Sequence, residues 1–149
     1  TELPIVSFVH IDTDKTATQS ASLKTGNTYR GVDLSFRDSE KVNAILTSAE
    51  VTNFVRGVEQ RSTSGGPFAH ISRWFPPQLL RNIRAVEEGA KGIRPVGRLA
   101  FFHNYQKIKT VIETAAKRTM GHEASLLQAG LKLEPGLNIF VIGSLCGGT

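Results

Sequence analysis

The chain has 149 residues and a mass of 16.2 kDa, with 40% hydrophobic and 21% charged side chains. That length can bury a real core, the balance is that of a globular chain, and no apolar run approaches the roughly 18 residues a membrane-spanning helix needs. The net charge of +5 and pI near 9.7 are a mild pull toward an anionic partner, and a single cysteine, Cys146, excludes an intrachain disulfide and fits a reducing, cytoplasmic setting.

Residues 5–12, Ile-Val-Ser-Phe-Val-His-Ile-Asp, predict a strand rich in β-branched and aromatic side chains. Both its faces are largely apolar, which suits a parallel strand covered on both sides. It ends in Asp12-Thr13-Asp14, at the carboxyl end where open α/β sheets bind ligands. Residues 15–37 are polar and turn-rich, with a short strand expected around 31–36. Asp38 or Ser39 is expected to cap a short helix reaching Leu46, and Ser48 a second one carrying Val51, Phe54, Val55 and Val58 at helical spacing. Residues 61–67 read as the most flexible segment. Residues 71–77, Ile-Ser-Arg-Trp-Phe-Pro-Pro, form an aromatic turn, with Pro77 or Gln78 opening a short helix.

Residues 89–97 read Gly-Ala-Lys-Gly-Ile-Arg-Pro-Val-Gly and feed the longest predicted helix, residues 97–119, where Leu99, Phe102, Ile108 and Ala115 lie on one apolar stripe. A further helix is expected over residues 123–130. Pro135-Gly136 then turns into a closing strand, Leu137-Asn-Ile-Phe-Val-Ile-Gly-Ser-Leu145, which runs into Cys146-Gly147-Gly148-Thr149. Apolar strands alternating with helices predict an α/β domain with a parallel sheet.

Three segments carry candidate chemistry. The terminal Cys146-Gly147-Gly148-Thr149 is either the start of a phosphate-cradling loop or an ordinary turn after a strand. The loop from Gly89 to Arg98 offers free N–H groups at a helix start, with Arg94 and Arg98 able to add charge-assisted bonds to phosphate, or it is a connector whose arginines face water. Asp12 and Asp14 either hold Mg²⁺ or terminate the strand and cap the next turn. From Arg81 to Arg118, nine basic residues face three acidic ones. No stacking motif, zinc spacing or helix-turn-helix accompanies that charge, so it reads as a solvated helix face and argues against a nucleic-acid partner. His10, His70, His103 and His122 have no metal-ligand spacing.

Taken together and in order, the three segments resemble the tubulin/FtsZ superfamily of GTPases, and residues 71–77 with Arg94-Pro-Val-Gly-Arg-Leu-Ala100 resemble its prokaryotic tubulin-like branch in particular. Ile11-Asp12-Thr13-Asp14 resembles the family's strand-end Asn/Asp-Thr-Asp element. Gly89-Ala90 to Gly97-Arg98 resembles the loop that closes over the terminal phosphate. Residues 137–149 are similar to the strand and first half of the Gly-Gly-Gly-Thr-Gly-Ser/Thr-Gly signature. The sequence departs from the pattern at Lys91, where a small residue is usual, and at Cys146, where glycine is usual.

The resemblance implies a partial Rossmann-like nucleotide-binding domain, parallel strands flanked by helices, spanning residues 1–149. Its first strand and phosphate loop are expected before Thr1, and its base-contacting helix and catalytic acid after Thr149. It implies GTP/GDP and Mg²⁺ as ligands, self-association into oligomers or filaments, and hydrolysis completed by an acid from the next subunit. Asp12, Thr13 and Asp14 are expected at Mg²⁺ or the phosphates. Gly89, Ala90, Lys91, Gly92, Arg94, Gly97 and Arg98 are expected around the γ-phosphate, and Cys146, Gly147, Gly148 and Thr149 around the α/β-phosphates. No catalytic residue is assigned within the chain. Two rival readings are a non-hydrolysing scaffold that kept the fold and a dinucleotide-binding domain. The latter expects Gly-x-Gly-x-x-Gly after the first strand, which the residues after Asp14 do not contain.

Overall fold

The computed structural model describes residues 5–16, 28–33, 35–61, 70–80, 83, 85–132, 134 and 136–143. Its strands are β1 (His10–Asp12), β2 (Thr28–Tyr29), β3 (Val32–Asp33) and β4 (Lys41–Asn43). Its helices are α1 (Ser48–Arg61), α2 (Pro77–Leu80), α3 (Arg94–His103), α4 (Tyr105–Thr119) and α5 (Glu123–Gln128). β1 and β4 pair in parallel, His10 opposite Lys41, Ile11 opposite Val42 and Asp12 opposite Asn43. β2 and β3 form a separate antiparallel hairpin turned by Arg30 and Gly31, both at positive φ. The mixed helix and strand content around a parallel pair is that of a partial α/β domain.

The region from Asp38 to Leu46 departs from the helix expected there. A 3-10 turn, Asp38–Glu40, is held by the Arg37 N–H donating to Glu40 Oε2 at 2.9 Å, and the chain then extends into β4. The reason is a period of two: Val42, Ala44 and Leu46 are buried while Lys41, Asn43 and Ile45 are half-buried. The strand expected over residues 5–12 is laddered only over β1.

α1 begins with a capping box one residue ahead of the expected Ser48. Thr47 donates through its N–H and its hydroxyl to Glu50 Oε2 at 2.7 and 2.8 Å, and the Glu50 N–H returns a bond to Thr47 Oγ1 at 3.3 Å. The side chains of Val55 and Val58 lie outside the described residues. The single helix expected over residues 97–119 is two helices. α3 starts at Arg94 because Pro95 fits a first helical turn, where its missing N–H costs nothing. The helices part at Asn104, whose Nδ2 donates to both Ala100 O and Ile45 O at 2.9 Å. Lys107 Nζ adds a bond to Asn43 O at 3.1 Å, so the start of α4 is fastened to the carboxyl end of β4.

Two apolar clusters follow. Val42, Ala44 and Ile108 pack with Val9, Ile11 and Val111 between the parallel strands and α4. Leu46, Val51, Ile71, Phe75, Val86, Ala90, Val96, Leu99 and Ala100 pack where α1, the aromatic turn and α3 converge. On the other face of the parallel pair, the rings of Phe8 and His10 stand 6.2 and 5.6 Å from Phe36. His10 Nδ1 and Asn43 Oδ1 are buried without a hydrogen-bond partner among the described residues.

The closing strand expected from Leu137 is not formed: residues 137–143 have no ladder partner among the described residues. Phe140 is 86% exposed and Ile142 96%. A lone extended segment gains no ladder bonds and leaves its backbone to water, so strand formation here requires a neighbour. No helix of the described residues is long and apolar enough to cross a membrane.

Candidate functional site

β1 delivers Asp12-Thr13-Asp14 to the carboxyl end of the parallel pair. Thr13 is fully buried. Asp12 Oδ1 accepts the Asp14 N–H at 2.9 Å, and Asp14 Oδ1 accepts both the N–H and the hydroxyl of Thr16 at 2.7 Å. Each acid thus shapes the turn that follows it, as short acidic side chains do after strands.

The second segment arrives by a different route. Beyond β4 the chain pairs through Leu46 with Val86, N–H to carbonyl in both directions at 2.8 and 2.9 Å. The next residues then run antiparallel to the strand-end turn. Asp14 bridges Glu88, the Lys15 N–H donates to Glu87 O at 2.9 Å, and the Gly89 N–H donates to Thr13 O at 3.2 Å. A side-chain ion pair of 2.6 Å between Lys15 Nζ and Glu87 Oε2 reinforces the contact. The Glu87 carboxylate, first by hydrogen bond and then by charge, holds the Lys15 ammonium above its ordinary pKa. Two segments more than 70 positions apart are therefore docked edge to edge where the acidic turn and the start of the glycine-rich loop meet.

From Gly89 the backbone passes through three left-handed positions, Gly89 (φ 79°), Lys91 (φ 49°) and Gly92 (φ 75°). A Cβ on Gly89 would lie 3.9 Å from Asp14 Cβ, an ordinary contact, so its φ rather than lack of space calls for glycine. Ala90 is buried, and the Ile93 N–H closes the turn on Ala90 O at 2.9 Å. α3 then begins without a side-chain cap. Arg94 is exposed on its first turn, and Gly97 is buried. Arg98 lies one turn further, its guanidinium 4.2 Å from the centre of the Trp74 ring. Lys91 is exposed, with Nζ 3.2 Å from Glu88 Oε2.

The structure thus sets Thr13 and Asp14, which follow Asp12, against Glu88 and Gly89, and Ala90, Lys91 and Gly92 lead on from that contact to Arg94, Gly97 and Arg98 in α3. Cys146, Gly147, Gly148 and Thr149 lie outside the described residues. Among those described, no three His, Cys, Asp or Glu side chains gather as a metal cage. Asp12 and Asp14 each use Oδ1 in the turn that follows the strand.

Sequence reasoning missed Lys15, Glu87, Glu88 and Trp74 as neighbours of this site. The spacing of Glu88 and Lys91 was a usable local signal, but nothing local announces that Lys15 meets Glu87. His103 joins a different contact, Nε2 lying 3.2 Å from Glu50 Oε1.

Compared with known families, residues 1–149 match the model of one described as tubulin like. Comparisons with curated proteins and with solved structures gave no match.

Proposed function

Since the chain belongs to the tubulin-like family along residues 1–149, we propose that its two docked loops form the phosphate end of a guanine-nucleotide site. The observation that carries this reading is the antiparallel contact between Thr13–Lys15 and Glu87–Gly89, which unites the acidic turn with the glycine-rich loop.

The residues then divide by chemistry. The left-handed positions at Gly89, Lys91 and Gly92 turn the backbone sharply ahead of the uncapped start of α3, a backbone that favours an anion. Lys91, Arg94 and Arg98 supply positive charge on that side. Asp12 and Asp14 are the residues that would hold Mg²⁺, which when bound neutralises phosphate charge. The glycines and threonine at 147–149 are assigned to the α/β-phosphates on the family pattern. Attack of water on GTP would then rest on positioning and charge stabilisation, with the catalytic acid contributed by a second subunit, so that hydrolysis is coupled to self-assembly in the cytoplasm.

Equilibrium titration of the intact protein with a fluorescent GTP analogue tests this. Saturable binding that GTP competes away and ATP does not, weakened about ten-fold or more by Arg94→Ala, is the expected result. Absence of saturable binding would sink the proposal. Binding without turnover under assembling conditions would favour the non-hydrolysing scaffold.

A further inference from the structure

Building on the nucleotide site proposed above, we infer that Glu88 is an internal competitor for the bound anion, occupying Lys91 until phosphate displaces it.

The backbone pairing of the two loops sets Asp14 opposite Glu88 and Lys15 against Glu87, with Asp12 two residues before Asp14, so both segments carry acids where they dock. An incoming phosphate meets that negative charge unless cations offset it. Two lysines do so, and their ion pairs differ in kind. Lys15 and Glu87 are 2.6 Å apart, link the two segments and are partly shielded, with side chains 49% and 29% exposed. Lys91 and Glu88 are 3.2 Å apart within a single turn, with side chains 70% and 76% exposed. The first pair joins the loops and stays. The second is solvent-screened, holds little energy and yields readily to a stronger partner.

A phosphate is such a partner. It carries more charge than a carboxylate and is served by the same uncapped helix start that Lys91 precedes by three residues. Lys91 also keeps a side chain at a left-handed φ, between glycines that adopt the same region freely. Glycine would relieve the backbone there, and only a lysine delivers an ammonium. Glu88 is anchored through its backbone bridge to Asp14, so when Lys91 leaves, the carboxylate remains beside the site. The pair therefore imposes a small penalty: an anion that takes Lys91 does so in competition with Glu88.

The test is a double-mutant cycle on the intact protein at low ionic strength, read with a fluorescent GTP analogue. Glu88→Gln is expected to tighten binding about two- to five-fold, the range a weak exposed ion pair permits. Lys91→Gln should weaken binding by a similar factor. The gain from Glu88→Gln should vanish in the Lys91→Gln background, because Glu88 acts through Lys91. No gain from Glu88→Gln, or a gain that persists without Lys91, overturns the inference while leaving the nucleotide site standing. If the unmodified protein binds no GTP, the nucleotide site and the inference fall together. Thermal unfolding of each variant shows whether it is folded, and both substitutions lie on exposed side chains that no core contact requires.

Discussion

Glu50 is the residue on which α1 depends most visibly. It accepts two bonds from Thr47 and lies 3.2 Å from His103. The Thr47 backbone bond is the main cause of a carboxyl pKa below the ordinary value of 4.5, with the Thr47 hydroxyl second. A carboxylate whose folded pKa is depressed contributes stability above its unfolded pKa and loses it as pH falls through the folded one. Stability should therefore drop at pH below about 4.5, and Glu50→Gln should lose less than the parent between about pH 6 and about pH 3 in urea titrations. Equal losses in both proteins would show that the capping box does not carry this dependence. Lys15 works at the opposite end. Its raised pKa contributes stability below 10.5 that is lost only as pH climbs through the higher folded value.

Among elements, the junction of α3 and α4 has the clearest mechanical role. Asn104 ties it to Ile45, and Lys107 ties the next turn to Asn43, so the helix that starts at the glycine-rich loop is braced against the strand that ends beside the acidic turn. Asn104→Ala should cost about 1–2 kcal/mol, despite alanine's better helix propensity, because Ile45 O loses its donor in a partly buried position. Chemical denaturation measures this; an unchanged or raised midpoint would mean that the brace is dispensable.

Such elements were unevenly legible in the sequence. The loops at Asp12–Asp14 and Gly89–Gly97 stood out because acids and glycines mark special backbone. β4 was hidden because Lys-Val-Asn-Ala-Ile-Leu offers apolar residues that serve either period, and burial alone selected two. The break at Asn104 was hidden because it depends on a carbonyl 59 positions away. The docking of Thr13–Lys15 on Glu87–Gly89 was likewise beyond local reading, since it follows from where β4 and Val86 carry the chain.

At the scale of the molecule, two apolar clusters support the site from beneath while residues 137–142 stand outside both. Ile139, Phe140, Val141 and Ile142 form a consecutive apolar stretch with 69% or more of each residue exposed. A β-prone run without charge or proline is a ready template for pairing with another chain. The 149-residue polypeptide should therefore associate with rising concentration, and Phe140→Lys with Ile142→Lys should suppress this in light scattering and sedimentation. Unaltered association in the double variant would place the sticky surface elsewhere.

Trp74 is the sole tryptophan of the chain, and it lies between Phe75, 5.8 Å away edge-on, and the Arg98 guanidinium. The indole is thus a built-in optical reporter with a cation on its face. Because Arg98 and Arg94 share one side of α3, any anion that draws this arginine away uncovers the ring. If the proposed site takes phosphate through Arg98, tryptophan emission is expected to change as GTP is titrated in; emission that stays constant while GTP binds would show that Arg98 keeps its place on the ring.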